Sequence, residues 1–291
     1  MDGIIVINKE KGYTSNDVVQ IVKKTFNSKV GHCGTLDPMA TGVLPILVGK
    51  GTLCSKYLVN HDKIYVATIK LGEKTDTADM EGKVIEEKTV TSEMLEDNYV
   101  KGVLDSFKGK QKQMPPIYSA IKVNGKKLYE YARNNQKVEI TPRDIDIYDI
   151  DLINIKREEK EITYKVSCSK GTYIRSLCED ISERIGTVGY MKELDRQKVG
   201  NFKIEDAIEI GKLKENFNDE KFIKDHFLSV EELFREKQEI KLNAKEIDLL
   251  LNGVKITKKE DNDIYRLYDE KNSFIGIGII ENNKLKRDII L

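Results

Sequence analysis

Two long alternating segments of this 291-residue chain give the strongest indication of its fold. Residues 145–155 and residues 162–168 each alternate apolar and polar side chains, and the charged run KREEKE separates them. A period of two places successive side chains on opposite faces of a β-strand, and a short polar connection can join two antiparallel strands. The two segments therefore predict a β-hairpin, and similar alternation over residues 63–71 predicts a further half-buried strand.

Helical periodicity appears at two other places. After an apolar, strand-like run over residues 3–8, Ser15 occupies the position of a helix N-cap and Asp17 lies in the first turn. The apolar residues that follow recur at intervals of three and four, which is typical of one face of a helix. A second stripe begins after Thr172 and ends at Gly186, because glycine commonly terminates helices.

The remaining segments predict shorter elements. We expect a helix capped by Thr91 and ending near Phe107, and an acidic, helix-rich stretch before a domain boundary near residue 236. Residues 43–48 are strand-like, although Pro45 disfavours a central paired position there. The other expected elements are an irregular loop over 29–42, a strand over 117–123, helices over 128–133 and 244–251, and strands over 264–268 and 274–280.

Composition argues against several classes of protein. The four cysteines form no CxxC pair and the three histidines are scattered, so we expect no metal site and no disulfide framework. No apolar run approaches the roughly 20 residues that span a bilayer, and the N-terminus lacks the features of a signal peptide. We therefore expect a cytoplasmic protein with reduced thiols and no membrane association.

Charge is balanced overall but unevenly distributed. The chain carries 49 Lys and Arg against 49 Asp and Glu. Residues 101–137 hold nine basic and two acidic side chains, a local charge of +7, whereas residues 205–236 carry a local charge of −5. A local basic field attracts phosphates even in a neutral protein, although a solvated lysine face accounts for the same pattern.

The segment with the most reactive composition is residues 31–45, GHCGTLDPMATGVLP. It is a glycine-rich loop between apolar strands, and loops held by a rigid frame commonly carry chemistry. Pro38 disfavours the α conformation at Asp37, so the aspartate backbone is held extended, and His32 lies five residues upstream. The same residues also suit a turn-forming aspartate and a histidine whose hydrogen bonds are satisfied.

This segment resembles the catalytic-loop signature of the TruB family of tRNA pseudouridine-55 synthases, which reads GHTGTLDPxATGxLP. Further blocks resemble family motifs in the same order along the chain, namely VINKEKGYTSNDVV, DKIYVATIKLGEKTDTADMEG, MPPIYSAIKVNGKKLYEYAR and CSKGTYIRSLCEDI. The resemblance covers residues 3 to about 200. It implies an α+β fold, with a mixed, largely antiparallel sheet and flanking helices in a catalytic domain over residues 1–235. Residues 236–291 would form a small PUA-like RNA-binding β module.

Pseudouridine synthases isomerise uridine: the bond from uracil N1 to ribose C1′ breaks, the base turns, and C5 joins C1′. The resemblance implies that Asp37 is the nucleophile, ionised and shielded from water, and that it attacks either the base or the sugar. Arg175 matches the arginine that pairs with this carboxylate and would lower its pKa. From the pattern alone, Arg175 also suits the surface of its predicted helix.

The resemblance assigns further residues to the target nucleotide. Tyr65 matches the family tyrosine that stacks on the flipped-out base and moves the C5 proton, whereas alternation alone predicts a half-buried strand tyrosine. Tyr173 and Leu194 match positions that contact the nucleotide, and His32 matches a histidine that helps to hold it out of the RNA. Cys33 replaces the threonine that usually follows this histidine.

Other positions near the implied pocket are structural or depart from the family. Asp76 and Asp79 match family acids and are interpreted as structural. The triplet that usually reads LRR is Leu194-Asp195-Arg196 here, and an acid in place of a base argues against one RNA contact. The basic residues near the C-terminus suit either contact with the acceptor stem or an ordinary solvated strand end; they are Lys284, Lys286 and Arg287.

The implied substrate is the T-stem-loop of tRNA. Its target base is stacked and must be extruded, at a cost on the order of a few kcal/mol. The +7 segment is a candidate for phosphate contacts that offset this cost. Isomerisation needs no cofactor, and we expect a monomer without an obligate protein partner.

Two other functions stay open at this point. A non-catalytic tRNA-binding or tRNA-folding factor would keep the fold, but binding alone does not require Asp37, Tyr65 and Arg175 together. A hydrolase that used His32 and Asp37 lacks a GxSxG elbow and a metal-ligand partner. Residues 49–52, GKGT, lack the spacing of a nucleotide-binding P-loop.

Overall fold

The computed structural model describes residues 1–59, 61–119, 121–134 and 136–291. The helices are α1 (Ser15–Phe26), α2 (Ser55–Leu58), α3 (Asp97–Asp105), α4 (Leu128–Arg133), α5 (Ile174–Ile185), α6 (Ile210–Asn216), α7 (Glu220–His226), α8 (Val230–Leu233) and α9 (Ala244–Leu251). The strands before the hairpin are β1 (Gly3–Lys9), β2 (Val30–His32), β3 (Thr41–Val48), β4 (Lys63–Leu71), β5 (Glu73–Thr75), β6 (Val84–Glu87), β7 (Gly109–Gln113), β8 (Lys122–Val123) and β9 (Lys126–Lys127). The later strands are β10 (Arg143–Lys156), β11 (Glu161–Cys168), β12 (Gly189–Val199), β13 (Phe202–Lys203), β14 (Ile208–Glu209), β15 (Phe227–Ser229), β16 (Glu239–Lys241), β17 (Ile256–Thr257), β18 (Ile264–Tyr268), β19 (Phe274–Glu281) and β20 (Lys284–Ile290).

A large mixed sheet organises most of these elements. Its strand order is β14-β1-β3-β12-β4-β11-β10-β7, with β2, β13 and β15 as additional partners of β3, β12 and β1. Its pairs are antiparallel except for β1 with β14 and β3 with β12. The helices α1, α3 and α5 pack on this sheet through their apolar stripes. The predicted α+β fold with a mixed, largely antiparallel sheet and flanking helices is confirmed.

The predicted hairpin is formed by β10 and β11. Ile150 faces Val166 and Ile155 faces Ile162 across the pair. The alternating segment over residues 63–71 is β4, which pairs with β11 on one side and β12 on the other. Because it has partners on both sides, β4 lies in the interior of the sheet.

The first helix is capped by Thr14 rather than by Ser15. The Thr14 hydroxyl accepts from the Asp17 N–H at 3.1 Å, and the Asp17 carboxylate accepts from the Thr14 N–H at 2.8 Å. The buried Ser15 hydroxyl instead accepts from the N–H of Leu36 at 2.9 Å and donates to its carbonyl at 3.1 Å. The prediction of Ser15 as the cap is therefore wrong, because this hydroxyl ties α1 to the loop that contains Asp37.

Pro45 lies within β3, which pairs with β1 on one side and with β2 and β12 on the other. The carbonyl of Pro45 accepts from the N–H of Cys33 at 3.1 Å. The nitrogen and the carbonyl of a strand residue point to the same side, so the Pro45 nitrogen also points to the β2 side of β3. Its lack of an N–H therefore removes no hydrogen bond between β3 and β1. The expectation against a central position is thus wrong, and the expected loop over 29–42 contains β2.

The helix expected from Thr91 is divided in two. A 3₁₀ turn over Glu93–Leu95 precedes α3, and Glu96 between them is extended. Both Leu95 and Val100 lie in the main apolar core, so the break turns both segments towards it.

Among the described residues of 117–123, the expected strand is confined to β8. It pairs with β9 across a turn at Asn124 and Gly125, and both turn residues have positive φ. Two such residues in sequence suit a tight two-residue hairpin, which leaves only two residues paired on each side. Residue 120, within the expected strand, lies outside the described residues.

The sequence patterns did not predict β12, which lies between β3 and β4 in the sheet. Its buried apolar residues, Met191, Leu194 and Val199, do not follow a period of two. Register shifts in its pairing with β4, between Met191 and Glu193 and between Arg196 and Lys198, account for this. Each such bulge adds one residue and reverses the faces of the side chains that follow.

The acidic stretch before residue 236 contains α6, α7 and α8, together with β14 and β15, which extend the large sheet along β1. The second sheet has the order β16-β18-β19-β20-β17 and follows from Glu239. Its residues Ile277 and Ile289 share an apolar cluster with Ile4 of β1 and with Val230 of α8. Within the described ranges, no helix is long and apolar enough to cross a bilayer.

Candidate active site

The loop between β2 and β3 is tied to its surroundings through its own backbone. The Leu36 backbone is bonded to Ser15, and the N–H of Gly12 donates to the carbonyl of Pro38 at 2.9 Å. The N–H of Ala40 donates to the carbonyl of Asp37 at 3.1 Å, closing a turn around the aspartate. These bonds fix the backbone from which the Asp37 carboxylate projects.

A buried lysine holds the same loop from the end of β1. The Lys9 ammonium donates to the carbonyls of Glu10, Tyr13 and Pro38 at 3.0, 2.7 and 3.2 Å. Burial lowers its pKa to about 8, against the opposing effect of the nearby Asp37 carboxylate. Lys9 belongs to the block VINKEKGYTSNDVV, but the sequence interpretation assigned it no role.

A buried arginine holds the loop from the other side. Arg196 of β12 is 1% exposed. Its guanidinium donates to the carbonyls of Val43, Thr35 and Gly34 at 2.8, 3.3 and 3.0 Å. Arg196 ends the triplet Leu194-Asp195-Arg196, and the sequence pattern assigned it no role. Only the pairing of β12 with β3 brings it to the loop.

Asp37 and Arg175 form an ion pair with two contacts. The Arg175 Nε lies 3.1 Å from one carboxylate oxygen of Asp37, and Nη2 lies 3.3 Å from the other. The same guanidinium lies 3.4 Å from the buried Asp79 carboxylate and donates to the carbonyls of Thr77 and Tyr118 at 3.3 and 2.9 Å. The Arg175 side chain is 9% exposed, whereas that of Asp37 is 30% exposed. Arg175 is therefore not a surface residue, and Asp37 keeps one side accessible.

The pKa of Asp37 is raised above its ordinary value, although Arg175 acts in the predicted direction and lowers it. Burial is the largest cause, and the neighbouring Asp79 carboxylate acts in the same direction. The charges of Arg175 and Lys9 oppose this rise. The interpretation of Asp79 as purely structural is incomplete, because it shares the Arg175 guanidinium with Asp37.

Tyr65 lies on the same face of the sheet as two residues of β12. Arg196 is opposite Tyr65 in the β12–β4 register, and Leu194 is opposite Ala67. Residues two apart on a strand share a face, and opposite residues are neighbours, so these four side chains are adjacent. Arg196 is therefore the charged side chain next to Tyr65 in the sheet, and its positive charge acts to lower the pKa of Tyr65. Tyr65 is 8% exposed, and burial raises its pKa.

Tyr173 and His32 lie next to the site in the chain, Tyr173 two residues before Arg175 and His32 five residues before Asp37. Tyr173 is the residue before α5, where its backbone N–H and carbonyl bond the Gln113 side chain at 2.8 and 3.0 Å. His32 is half-buried at the end of β2, and burial together with the charge of Arg196 lowers its pKa. In the described part of the chain, its Nδ1 atom has no hydrogen-bond partner and it makes no hydrogen bond to Asp37. The structure therefore does not support a His–Asp hydrolase pair.

The other predicted positions have local roles. The exposed Asp76 accepts from the N–H of Lys83 at 2.8 Å, which supports a turn. In the basic segment, the Lys127 ammonium and the Arg133 guanidinium each lie 5.3 Å from the centre of the Tyr129 ring. The C-terminal cluster is engaged within its own module: Lys284 donates to Thr257, Lys286 pairs with Glu281, and Arg287 donates to Leu251. Among the described residues, no group of three His, Cys, Asp or Glu is placed to hold a metal ion.

Three family models match consecutive parts of the chain. The model described as TruB family pseudouridylate synthase (N terminal domain) matches residues 22–174. The model described as tRNA pseudouridylate synthase B C-terminal domain matches residues 175–235, and that described as Pseudouridine synthase II TruB, C-terminal, matches residues 239–286.

Relatives and solved structures are similar over nearly the whole chain. The tRNA pseudouridine synthase B of Clostridium kluyveri is 42% identical over 293 residues, covering 98% of each chain, and that of Aquifex aeolicus is 39% identical over 288 residues, also covering 98% of each. A structure titled "Crystal Structure of a Cbf5-Nop10-Gar1 Complex" matches 95% of this chain and 78% of that one, with 24% identity and a TM-score of 0.67. A structure titled "Crystal structure of the archaeal box H/ACA sRNP Nop10-Cbf5 complex" matches 99% and 85%, with 22% identity and a TM-score of 0.68. These two structures share the fold of this chain.

Proposed function

The chain belongs to the TruB family of pseudouridine synthases, and from this premise we propose that it converts uridine 55 in the T-loop of tRNA to pseudouridine. The enzyme is a tRNA pseudouridine synthase, an isomerase. The observation that carries the proposal is the ion pair of Asp37 with Arg175, on a loop held by Lys9 and Arg196. A carboxylate fixed in this way, with one side accessible, suits attack on a bound nucleotide.

The reaction must balance within the nucleotide, because uridine and pseudouridine are isomers. The N1–C1′ bond breaks with its electron pair on the uracil, the base turns, and a C5–C1′ bond forms. The C5–H bond then breaks, its electron pair restores the C5=C6 double bond, and N1 gains a proton. The protein must therefore supply a nucleophile and a group that accepts the C5 proton, and the balance includes no redox change.

Asp37 is the nucleophile of this proposal. Arg175 holds both carboxylate oxygens in place and supplies the charge that favours the ionised form. Attack on either the base or the sugar forms one bond to an Asp37 oxygen, and that bond breaks again before product leaves. The carboxylate is thus regenerated in each cycle.

Tyr65 is the acceptor of the C5 proton in this proposal. Burial raises the pKa of Tyr65, whereas the positive charge of Arg196 favours its ionised form. The phenolate oxygen takes the C5 proton, while N1 takes one from a water molecule. The hydroxide formed then recovers a proton from Tyr65, so that no proton is consumed overall. Tyr65 and Leu194 also offer an aromatic and an aliphatic surface for the flipped-out base, with Tyr173 and His32 as further contacts.

RNA binding is assigned to two parts of the molecule. The lysines of the β8–β9 hairpin are proposed to contact phosphates beside the site, and the PUA-like module, residues 236–291, is proposed to contact the rest of the tRNA. We propose further that the enzyme acts as a monomer in the cytoplasm, on the T-stem-loop, without an obligate protein partner.

Incubation with an unmodified tRNA transcript, followed by mapping of pseudouridine, tests this function. We expect modification at uridine 55 alone, and loss of it in Asp37→Asn with tRNA affinity retained, because the amide is not a nucleophile. Asp76→Asn, at the exposed turn, is the control and should retain activity. Turnover by Asp37→Asn would disprove the nucleophile, and wild-type binding without any pseudouridine would indicate a binding or folding factor.

A further inference from the structure

Arg196 is a buried cation without a carboxylate partner. No described Asp or Glu oxygen lies within 4 Å of its guanidinium, which bonds the carbonyls of Gly34, Thr35 and Val43 instead. Removing a charge from water is costly unless hydrogen bonds compensate for it, and replacing such a charge by an apolar residue is often neutral for stability. The cost of burying this guanidinium therefore points to a role beyond support of the loop.

The side chain next to Arg196 across the strand pair is Tyr65. The two residues are directly opposite in the β12–β4 register, and the bulge after Arg196 ends this run of pairing. The titratable groups that face the pair are the ammonium groups of Lys9 and Lys63, the imidazole of His32, the thiols of Cys33 and Cys168 and the carboxylate of Asp37. The guanidinium thus lies between the loop of the nucleophile and the proton acceptor.

We propose that Arg196 is a positioning residue for the proton step, which it serves by fixing the Tyr65 hydroxyl and stabilising negative charge on that oxygen. This inference rests on the proposed function, in which Tyr65 takes the C5 proton. The electron pair of the C5–H bond returns to the uracil ring, and the proton passes to the Tyr65 oxygen beside the guanidinium. Arg196 touches no reacting atom and acts through Tyr65.

An arginine suits this role better than a lysine would. A guanidinium has five N–H donors in one rigid plane, whereas an ammonium has three at a single point. Three contacts are already made, with the loop carbonyls of Gly34 and Thr35 and with the β3 carbonyl of Val43, at 2.8 to 3.3 Å. An ammonium at the end of a lysine could not keep these three contacts and also place its charge beside Tyr65.

A double-mutant cycle between Arg196→Lys and Tyr65→Phe tests the proposal. We expect Arg196→Lys alone to lower kcat about tenfold or more, within the range of proton-transfer catalysis, with KM for tRNA nearly unchanged. In the Tyr65→Phe background the same change should lower the residual rate by less than about twofold, because Arg196 acts through the missing hydroxyl. Arg184→Lys, on the outer part of α5, is the control and should match wild type.

Two further readouts separate this role from simple loop support. With tRNA transcribed from 5-deuterated uridine, Arg196→Lys should show a larger isotope effect than wild type, because only C5–H cleavage has been slowed. In Arg196→Met, which removes the charge, the rise of kcat with pH should move to higher pH, since the phenolate loses its stabilising cation. Arg196→Met also serves if Arg196→Lys does not fold.

The proposal would be overturned if Arg196→Lys lowered kcat by the same factor with Tyr65 and with Phe at position 65. An isotope effect in Arg196→Lys equal to that of the wild type would also overturn it. Failure of both Arg196 variants to fold and bind tRNA would also overturn it, in favour of a structural role. Failure of the proposed function is distinguishable, because it would appear as turnover by Asp37→Asn or as a wild-type protein without pseudouridine formation. If Asp37→Asn is inactive but the effects of Arg196→Lys and Tyr65→Phe on kcat simply add, the proposed function stands and only the role of Arg196 is rejected.

Discussion

At the scale of residues, the site is governed by one guanidinium between two carboxylates. Arg175 contacts Asp37 and Asp79, and only Asp37 has a side exposed to solvent. Burial and the Asp79 charge raise the pKa of Asp37, whereas Arg175 and Lys9 oppose the rise. The ionised nucleophile is therefore lost at a higher pH than an ordinary aspartate would require. Activity should fall as pH decreases through this raised pKa.

Asp79→Asn should move the acid limb of the kcat/KM profile to lower pH. The substitution removes a negative charge that raises the pKa of Asp37, and it leaves Arg175 paired with one carboxylate instead of two. The measurement is kcat/KM for tRNA across the acid range. Asp76→Asn is the matched control, because this exposed acid supports only the turn to Lys83. An acid limb that moved to higher pH in Asp79→Asn would contradict the assignment.

At the scale of elements, the parallel contact of β3 with β12 positions the loop. Gly42 has a φ of +103°, and a Cβ there would overlap the carbonyl oxygen of Arg196 and the carboxylate of Asp195. Asp195, the acid at the position of a family base, thus packs against the end of the loop and bonds Gln197 at 2.6 Å. A residue with a side chain at position 42 would separate the two strands.

Gly42→Ala should lower the free energy of unfolding by about 2 kcal/mol or more, because positive φ and steric overlap both oppose a side chain. Activity should fall further than stability predicts, since Arg196 would lose its contacts with the loop. Urea unfolding and the rate of pseudouridine formation measure the two effects. For Gly211→Ala in α6, where a Cβ meets nothing within 4 Å, stability should stay the same or rise by up to about 1 kcal/mol. Equal effects of the two substitutions would show that the contact of Gly42 with β12 is unimportant.

The lysines of the β8–β9 hairpin are the proposed phosphate contacts for RNA binding. If Lys126 and Lys127 contact phosphates, replacing both with glutamine should reduce the slope of log affinity against log salt by about one to two units. Lys284→Gln with Lys286→Gln is the control pair, because these ammonium groups are already bonded to Thr257 and Glu281. Filter binding of tRNA at several salt concentrations gives the slopes. An unchanged slope for the hairpin variant would identify its lysines as a solvated face.

At the scale of the whole molecule, the second sheet is joined to the catalytic sheet by a shared apolar cluster. Ile277 and Ile289 are fully buried between Ile4 and Val230. At the margin of this cluster, Asp288 accepts a hydrogen bond from Tyr57 at 2.5 Å and pairs with Lys56. Because α2 leads into β4, the same contact links the C-terminal strand to the element that carries Tyr65. The two sheets should therefore unfold in one transition.

Ile289→Ala should destabilise the entire chain by about 2 to 5 kcal/mol, as for other large-to-small changes in a core. Urea transitions followed by far-ultraviolet circular dichroism and by loss of activity should shift together. Leu251→Ala, at an exposed neighbouring apolar residue, should change stability by less than about 0.5 kcal/mol. An activity transition that did not move in Ile289→Ala would indicate that the two sheets unfold independently.

Local periodicity and contiguous motifs were enough to predict several elements of this chain and its family. The β10–β11 hairpin, β4 and the stripes of α1 and α5 follow from alternation and helical spacing, and the family follows from ordered blocks. Asp37, Tyr65 and Arg175 were named through those blocks. The bulged strand β12 escaped prediction, because each bulge interrupts the period of two that identifies a strand.

The residues that hold the loop of Asp37 are brought together by the packing of distant strands, and no sequence pattern predicted them. Lys9 and Arg196 lie 28 and 159 residues from Asp37 in the chain, yet both bond the backbone of its loop. Their partners are main-chain carbonyls, which every residue possesses, so no side-chain pattern in the sequence marks these bonds. The direction of the Asp37 pKa likewise depends on burial and on Asp79, and both arise only when β1, β3, β12 and α5 pack together.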